Sequence, residues 1–476
     1  MDEFRRQVLD PNLDIGSGIY SAIDPNLQPR LNQRGEYEHE GLDSTYRGPV
    51  ELLHQVSAFG GGLGREDEVA AELFPDAPSA GQNTVLGRHR GLYAGYVNEG
   101  DYRTNGSSGG LATWVLVELL ETKAIDGVIH LKASAGTGPL FEYRISRTPD
   151  ETRQGAKSRY YPGQLANVLA EAAELGGRYA VTAIPSFAYE LRLLQQLRPE
   201  YAERIPYIIG LICGHQKTAN YALQLAWRAG IHPEDLEEID FRKKIPGRPS
   251  NKYATELRGN VNGQVVTAEA TELFGMDWGL GMFKANFSDF TEDAFNETAD
   301  IVLGDAWLPQ YTADSRGTNV VITRSAELHD LVTSASQRGR LKLEIISPKL
   351  MMQSQTGLMR QNFQEVSARY NYLAKRGEYV PAIRRPSRKR VSMLRRRIQI
   401  ERLRTSRVSH DAWLLAVRAD DLAAFDRRME APIERYRRAQ RTERRLRKPR
   451  EALGRLWRKL QSRSALIAAS IRGARS

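Results

Sequence analysis

The sequence predicts an α/β (α+β) fold with mixed sheets, followed by a separate basic helical stretch. Three observations carry this. Between residues 85 and 345, short β-branched and aromatic runs alternate with longer runs of helical period. Glycine and proline clusters punctuate the junctions. Beyond Pro381 the chain turns arginine-rich, with a narrow apolar stripe at helical spacing: Leu394 and Ile398, then Leu446, Leu453, Leu456 and Leu460.

Residues 1–84 are loop-rich. Within them "VELLHQVSA" reads as a helix, so the glycines of "SAFGGGLGRED" (57–67) follow no strand and read as a connection rather than a dinucleotide loop. "GLATWVLVELLETKA" (110–124) is a buried helix, apolar on most sides. "DGVIHLKAS" and "LFEYRIS" are strands. Thr148 before Pro149 predicts a capped helix start. "RYAVTAIP" is a strand running into the helix "SFAYELRLLQQL"; "IPYIIGLIC" is a strand before the helix "ANYALQLAWRAG". "GQVVTAEAT", "ADIVLGDAW", "TNVVITRS" and "LKLEIIS" supply four more strands.

Charge is unevenly placed. The 476 residues carry a net +10, but residues 384–476 hold 29 Lys+Arg against 9 Asp+Glu, a net +20. Residues 1–383 are therefore acidic, at −10. Cys213 is the single cysteine, which excludes an internal disulfide, a cysteine-rich zinc site and a four-thiolate cluster. The eight histidines show no metal-binding spacing, and no metal is expected. "MDEFRRQ" lacks the apolar stretch of a signal peptide, and no run of about 18 apolar residues occurs. A cytoplasmic location is expected, with peripheral placement at the inner membrane face left open.

One short stretch has an unusual spacing. In "DPNLDIGSGIYSAIDPN", Asp14, Ser17, Tyr20 and Asp24 stand at D-x2-S-x2-Y-x3-D, followed by Pro25. With cysteine at the four positions this would be the C-x2-C-x2-C-x3-C-P run that holds iron–sulfur clusters in bacterial ferredoxins. Carboxylates and hydroxyls do not replace soft thiolates around an iron–sulfide core.

Five phrases follow one another in the body: "TNGSSGGLATWVLVELLETKAIDGVIHLKAS", "GAKSRYYP", "YAVTAIPSFAYELRLL", "IPYIIGLICGHQKT" and "ETADIVLGDAWLP" with "GTNVVITRS". Together, over roughly residues 8–345, they resemble the beta subunit family of coenzyme F-420 hydrogenases and dehydrogenases. That resemblance implies a flavin-binding body that uses FAD. It implies a degenerate ferredoxin-like segment at 1–84, an N-terminal-like domain at 85–177 and a C-terminal-like domain at 178–350; the basic tail at 381–476 lies outside the resemblance and is read from its charge. A second cysteine pattern of the family falls on Ser288, Thr291 and Asp293, and a further cysteine position on Ser186. The expectation is a protein without an iron–sulfur cluster.

Candidate site residues follow. "NGSSGG" precedes a helix, so Ser107, Ser108, Gly109 and Gly110 offer hydroxyls and backbone N–H groups to a pyrophosphate. They equally suit an ordinary cap; the resemblance implies a flavin contact. In "GAKSRYYP", Arg159 can pair with phosphate, Lys157 lies beside it and Tyr160 can stack. Ser186 lies where a strand gives way to a helix, a place where open α/β sheets bind ligands. Cys213 and Asp305 are substrate-side candidates; Cys213 also reads as a small core hydrophobe.

Two functions remain open. The first is a cluster-free, FAD-dependent oxidoreductase moving a hydride between a reduced nucleotide or deazaflavin and a small organic substrate. The second is a catalytically decayed relative serving as a scaffold. The tail suits an acidic membrane surface or acidic protein partner, or packs on its own acidic body. Its few aromatics, among them Trp413, Tyr436 and Trp457, and the absence of a recognised module argue against nucleic acid.

Overall fold

The computed structural model describes residues 2–473 apart from 44, 61, 79–84, 135, 137, 386, 388 and 389, with side chains described as far as Arg447. Thirteen strands occur among these residues. They are β1 (Pro29–Leu31), β2 (Tyr37–His39), β3 (Gly91–Val97), β4 (Gly127–Ala133), β5 (Phe141–Ser146), β6 (Tyr179–Ala183) and β7 (Tyr207–Leu211). Then come β8 (Leu236–Lys243), β9 (Ala254–Val261), β10 (Gln264–Ala270), β11 (Ile301–Asp305), β12 (Asn319–Thr323) and β13 (Leu341–Ile345).

Eight strands form the central sheet in the order β13-β3-β12-β11-β7-β6-β4-β5. Its middle, β11-β7-β6-β4, is parallel and both margins are antiparallel. The mixed-sheet expectation holds. Strand β3 pairs with β12 and β13, so segments 85–177 and 178–350 contribute to one sheet.

Period-two alternation explains the apolar runs. Val181, Ile208, Val302 and Ile322 join the core on one face; Ala180, Ile209, Ile301 and Val321 join the core on the other. The first face is covered by helix Pro185–Leu197 and the N-terminal segment, the second by helices Leu111–Glu121 and Ala326–Gln337. The capped start at Thr148 is present: its side chain accepts from the Glu151 N–H at 3.2 Å.

Strands β8, β9 and β10 form a second, antiparallel sheet. A third core joins it to helix Asn220–Arg228 and to the C-terminal helices Met393–Ala419 and Leu422–Gly473. Trp413, Phe425 and Met429 are almost wholly buried there. The basic tail, over its described part, therefore packs on its own body. Of the stripe read from sequence, Ile398 is buried and Leu446 is half exposed. Leu453, Leu456, Leu460 and Trp457 lie outside the described side chains.

Candidate functional site

The parallel strands β4, β6, β7 and β11 end at a common cleft of about 1040 Å³, the position at which open α/β sheets bind ligands. Its size is at the upper end for cofactor pockets, roughly 300–1,000 Å³.

The Ser-Gly turn forms one end. Ser107, Ser108 and Gly110 line the cleft with the first helical residues, Leu111 to Thr113. Cations of β8 and its extension hold the turn's carbonyls: Arg242 donates to Ser107 O (3.2 Å) and Lys244 Nζ to Ser108 O (2.9 Å). Ser108 Oγ donates to Thr318 O at 2.9 Å. Gly110 adopts φ +85°, and a Cβ there would lie 2.5 Å from the Tyr102 carbonyl carbon. Gly109 does not line the cleft; a Cβ there would meet the Asn319 side chain and the Gly95 carbonyl.

The two motifs meet. The Ser158 N–H donates to Ser107 Oγ at 2.7 Å, clamping "GAKSRYYP" to the Ser-Gly turn. Lys157 holds φ +103°, a region that costs a non-glycine residue about 1–3 kcal/mol. Its Nζ is tied to Asp240 at 3.0 Å, so the segment is fixed rather than floppy. Arg159 donates to the Ala156 carbonyl (3.2 Å) and lies over the Phe141 ring, and its Nε is buried without a partner. Burial lowers its affinity for a proton, partly offset by Asp240. A guanidinium with one buried nitrogen left unpartnered at the cleft is suited to a phosphate.

The opposite wall is aromatic and basic. Trp278 touches Tyr160 (ring centroids 4.7 Å) and His215 (4.9 Å), and Lys217 Nζ lies 5.0 Å over its ring. Arg402, from helix Met393–Ala419, donates to the Trp278 carbonyl at 2.9 Å. Arg395, Arg402 and Tyr436 of the C-terminal helices also line the cleft. Burial, then the charges of Lys217, Arg402 and Lys284, push His215 well below its ordinary range. Cys213 lies on this loop; burial pushes its thiol up to about 11, opposed by its bond to the His215 carbonyl. A thiol so far above neutrality is a poor nucleophile.

Asp305 lines the cleft, but Arg242 engages both of its oxygens, at 2.7 and 3.1 Å. It anchors β11 to β8 and has no oxygen without a partner. Ser186 is buried between Ile184 and Phe187, which line the cleft while Ser186 does not.

The positions with cluster-like spacing have other occupations. Asp14 accepts from His39 Nδ1 at 2.8 Å. Burial works to raise its carboxyl, and the His39 imidazole outweighs this and holds it low. Ser17 Oγ donates to Glu190 at 2.5 Å, and Tyr20 packs on His39 at 4.7 Å within the core. Asp24 accepts from the Tyr46 hydroxyl at 2.7 Å. Ser288 accepts from the Gln216 N–H at 3.0 Å, Thr291 donates to the Phe287 carbonyl, and Asp293 accepts from two backbone N–H groups. Among the described residues no group of three or more His, Cys, Asp or Glu is arranged to hold a metal.

Sequence reasoning did not single out Arg242, Lys244, Trp278 or Arg402. The basic run "FRKKIP" was a usable signal for the first two. Trp278 and Arg402 reach the cleft only through tertiary packing.

Comparison with known proteins gives two family matches. Both belong to the beta subunit of coenzyme F-420 hydrogenase/dehydrogenase: its N-terminal part matches residues 92–170, and its C-terminal part matches residues 176–349. Among solved structures, the chain is similar to one in the xenon-derivatised F-420-reducing NiFe hydrogenase complex from Methanosarcina barkeri. That similarity has 16% identity and a TM-score of 0.45, covering 64% of this chain and 98% of the other. No curated protein matches.

Proposed function

Because this chain belongs to the coenzyme F-420 hydrogenase/dehydrogenase beta subunit family, we propose that it is an FAD-dependent oxidoreductase that works without an iron–sulfur cluster. The single observation that carries this is the cleft at the strand ends. Two segments expected to contact a flavin are clamped together there by the Ser158–Ser107 bond, beside an unpartnered Arg159 Nε. A buried guanidinium nitrogen without a partner beside a large cleft suits an anionic ligand better than a scaffold.

The residues present fit FAD. Arg159 and the N-terminal turn of helix Leu111–Glu121 would hold its pyrophosphate, by charge-assisted bonds and by the helix dipole. Tyr160 and Trp278 offer an aromatic wall. When bound, the flavin supplies two-electron hydride chemistry between a reduced nicotinamide or deazaflavin and an organic substrate, and so needs no one-electron relay. The chain itself binds, orients and shields. Lys244 and Arg242 fix the Ser-Gly turn, and the C-terminal helices cover one side of the cleft. His130, pushed down to about 3 chiefly by burial, is neutral and bonds Ser146, so it serves packing rather than proton transfer.

The proposed hydride donor, the small-molecule substrate and an association of the end of the tail with an acidic membrane surface or protein belong to this reading. No helix among the described residues is long and apolar enough to cross a membrane. The test is equilibrium FAD uptake by the purified full-length chain, read from its visible spectrum. Stoichiometric uptake that is weakened in Arg159→Met is expected. A colourless protein that takes up no FAD moves the reading to the scaffold.

A further inference from the structure

Among the described residues, eight lysine and arginine side chains line the cleft against two carboxylates, Asp305 and Glu443. Some of this charge is neutralised locally: Lys157 pairs with Asp240, and Arg395 engages both oxygens of Glu365 at 2.7 and 2.8 Å. Around Trp278 it is not. Lys217 is 2% exposed, and its Nζ has only the Met282 carbonyl and the faces of Tyr221 and Trp278. Arg402 is held by two neutral acceptors, the Trp278 carbonyl and the Gln361 side chain. The carboxylates that face these groups, Asp277 and Asp289, form no ion pair with either among the described residues.

Unpartnered donors gather at the same place. Arg402 Nε, His215 Nε2 and Gln361 Nε2 are buried without a hydrogen-bond partner, and all three residues line the cleft. Leaving buried polar groups unpaired costs about 1–3 kcal/mol each. Such a cluster persists where something else completes it. Burial and the charges of Arg402 and Lys284 hold Lys217 well below its usual range, and an arriving anion would favour its charged form.

We propose that the Trp278 side of the cleft is an oxyanion subsite, built by Lys217, His215 and Arg402, that takes a carboxylate or phosphate group of the substrate. Arg402 stands beyond residue 349, where the family match ends. The C-terminal helices therefore complete a binding wall that the matched body lacks. That the anion belongs to the substrate rests on the proposed oxidoreductase function; that the subsite takes an oxyanion does not.

The experiment is calorimetric titration of the full-length protein with inorganic pyrophosphate and, separately, with citrate, each with and without saturating FAD. Lys217→Met and Arg402→Met are compared with Arg316→Gln, which removes an exposed charge outside the cleft. Arg402, on helix Met393–Ala419 rather than on the Lys217 loop, supplies the second variant if Lys217→Met fails to fold. At least one anion should bind the parent. Each cleft variant should weaken it about tenfold, the worth of one charge-assisted hydrogen bond. The control should match the parent in both anion binding and FAD uptake. Binding of neither anion, or equal binding by parent and both cleft variants, overturns the subsite. Displacement of the anion by FAD overturns its assignment to the substrate. If no FAD is taken up while anion binding still depends on Lys217 and Arg402, the oxidoreductase reading falls and the oxyanion subsite stands.

Discussion

The segment Asp14–Asp24 and the cleft lie on either side of one loop: Gln216 and Lys217 line the cleft and also a small cavity against Asp14 and Ile15. Both regions hold ionisable groups away from water, yet they have different outcomes. In the segment, Asp14 has His39, Ser17 has Glu190, Asp24 has Tyr46, and the Tyr20 ring is core at 1% exposure. In the cleft, Arg159, His215 and Arg402 keep unpartnered nitrogens beside about 1040 Å³ of space. The segment side also has two unpartnered atoms, Tyr20 Oη in the segment and Nε2 of its partner His39, but the Tyr20 ring is part of the packed core. The polar side chains of the segment are paired within packed surroundings, whereas those of the cleft border open space, as the proposed ligand site requires.

The contrast breaks hardest under cavity-forming substitutions. Tyr20→Ala should cost about 3–5 kcal/mol in chemical denaturation and leave FAD affinity of the folded protein unchanged. Trp413→Ala, at 2% exposure in the third core, should cost a similar ~3–5 kcal/mol and also weaken anion binding in the cleft, since its helix carries Arg402. Equal effects of both on ligand binding would erase the distinction between the two regions.

Arg159→Met sharpens the comparison from the other side. It should weaken FAD by tenfold or more, a loss of about 1.5–3 kcal/mol, with a change in stability below about 1 kcal/mol. Parallel FAD and denaturant titrations check it. A large stability loss with unchanged FAD affinity would make Arg159 a structural residue.

The smallest effect concerns pH. Glu190 is buried, and that burial, aided by the Asp14 charge and opposed by Ser17 and Ala58, pushes its carboxyl up to about 8. Its folded value exceeds the ordinary 4.5, so the folded state binds the extra proton. The associated stability is present below about pH 4.5 and is lost as pH rises towards 8. Glu190→Gln should therefore gain stability relative to the parent as pH rises, on the order of 1 kcal/mol at pH 8 and less at pH 5. Denaturation midpoints at the two pH values check the sign.

Much of the central sheet was legible, because strands buried on both faces are written as continuous apolar runs such as "IPYIIGLIC" and "ADIVLGDAW". Strand β3 was missed: "GLYAGYV" carries two glycines, and Gly95 is required because a Cβ there would lie 2.0 Å from the Lys342 carbonyl. Strands β8 and β9 were missed because charges interrupt them, among them Arg242, which works at the site. Ser107, Arg159 and Tyr160 were legible through local pattern and resemblance. Arg402 was not, since nothing local distinguishes it from the tail's other arginines. The tail's true apolar face, Trp413 with Phe425, Met429 and Ile433, was hidden by its charge, and Leu446 was misplaced on it.

The measurement that tests the central claim most directly is anaerobic reduction of the FAD-loaded protein, followed by visible absorption with iron and sulfide assayed on the same sample. The account predicts a two-banded flavin spectrum that bleaches with NADPH or a reduced deazaflavin, in a protein containing neither iron nor sulfide. A broad brown absorption that accounts for the electrons taken up, with iron and sulfide present, would contradict it.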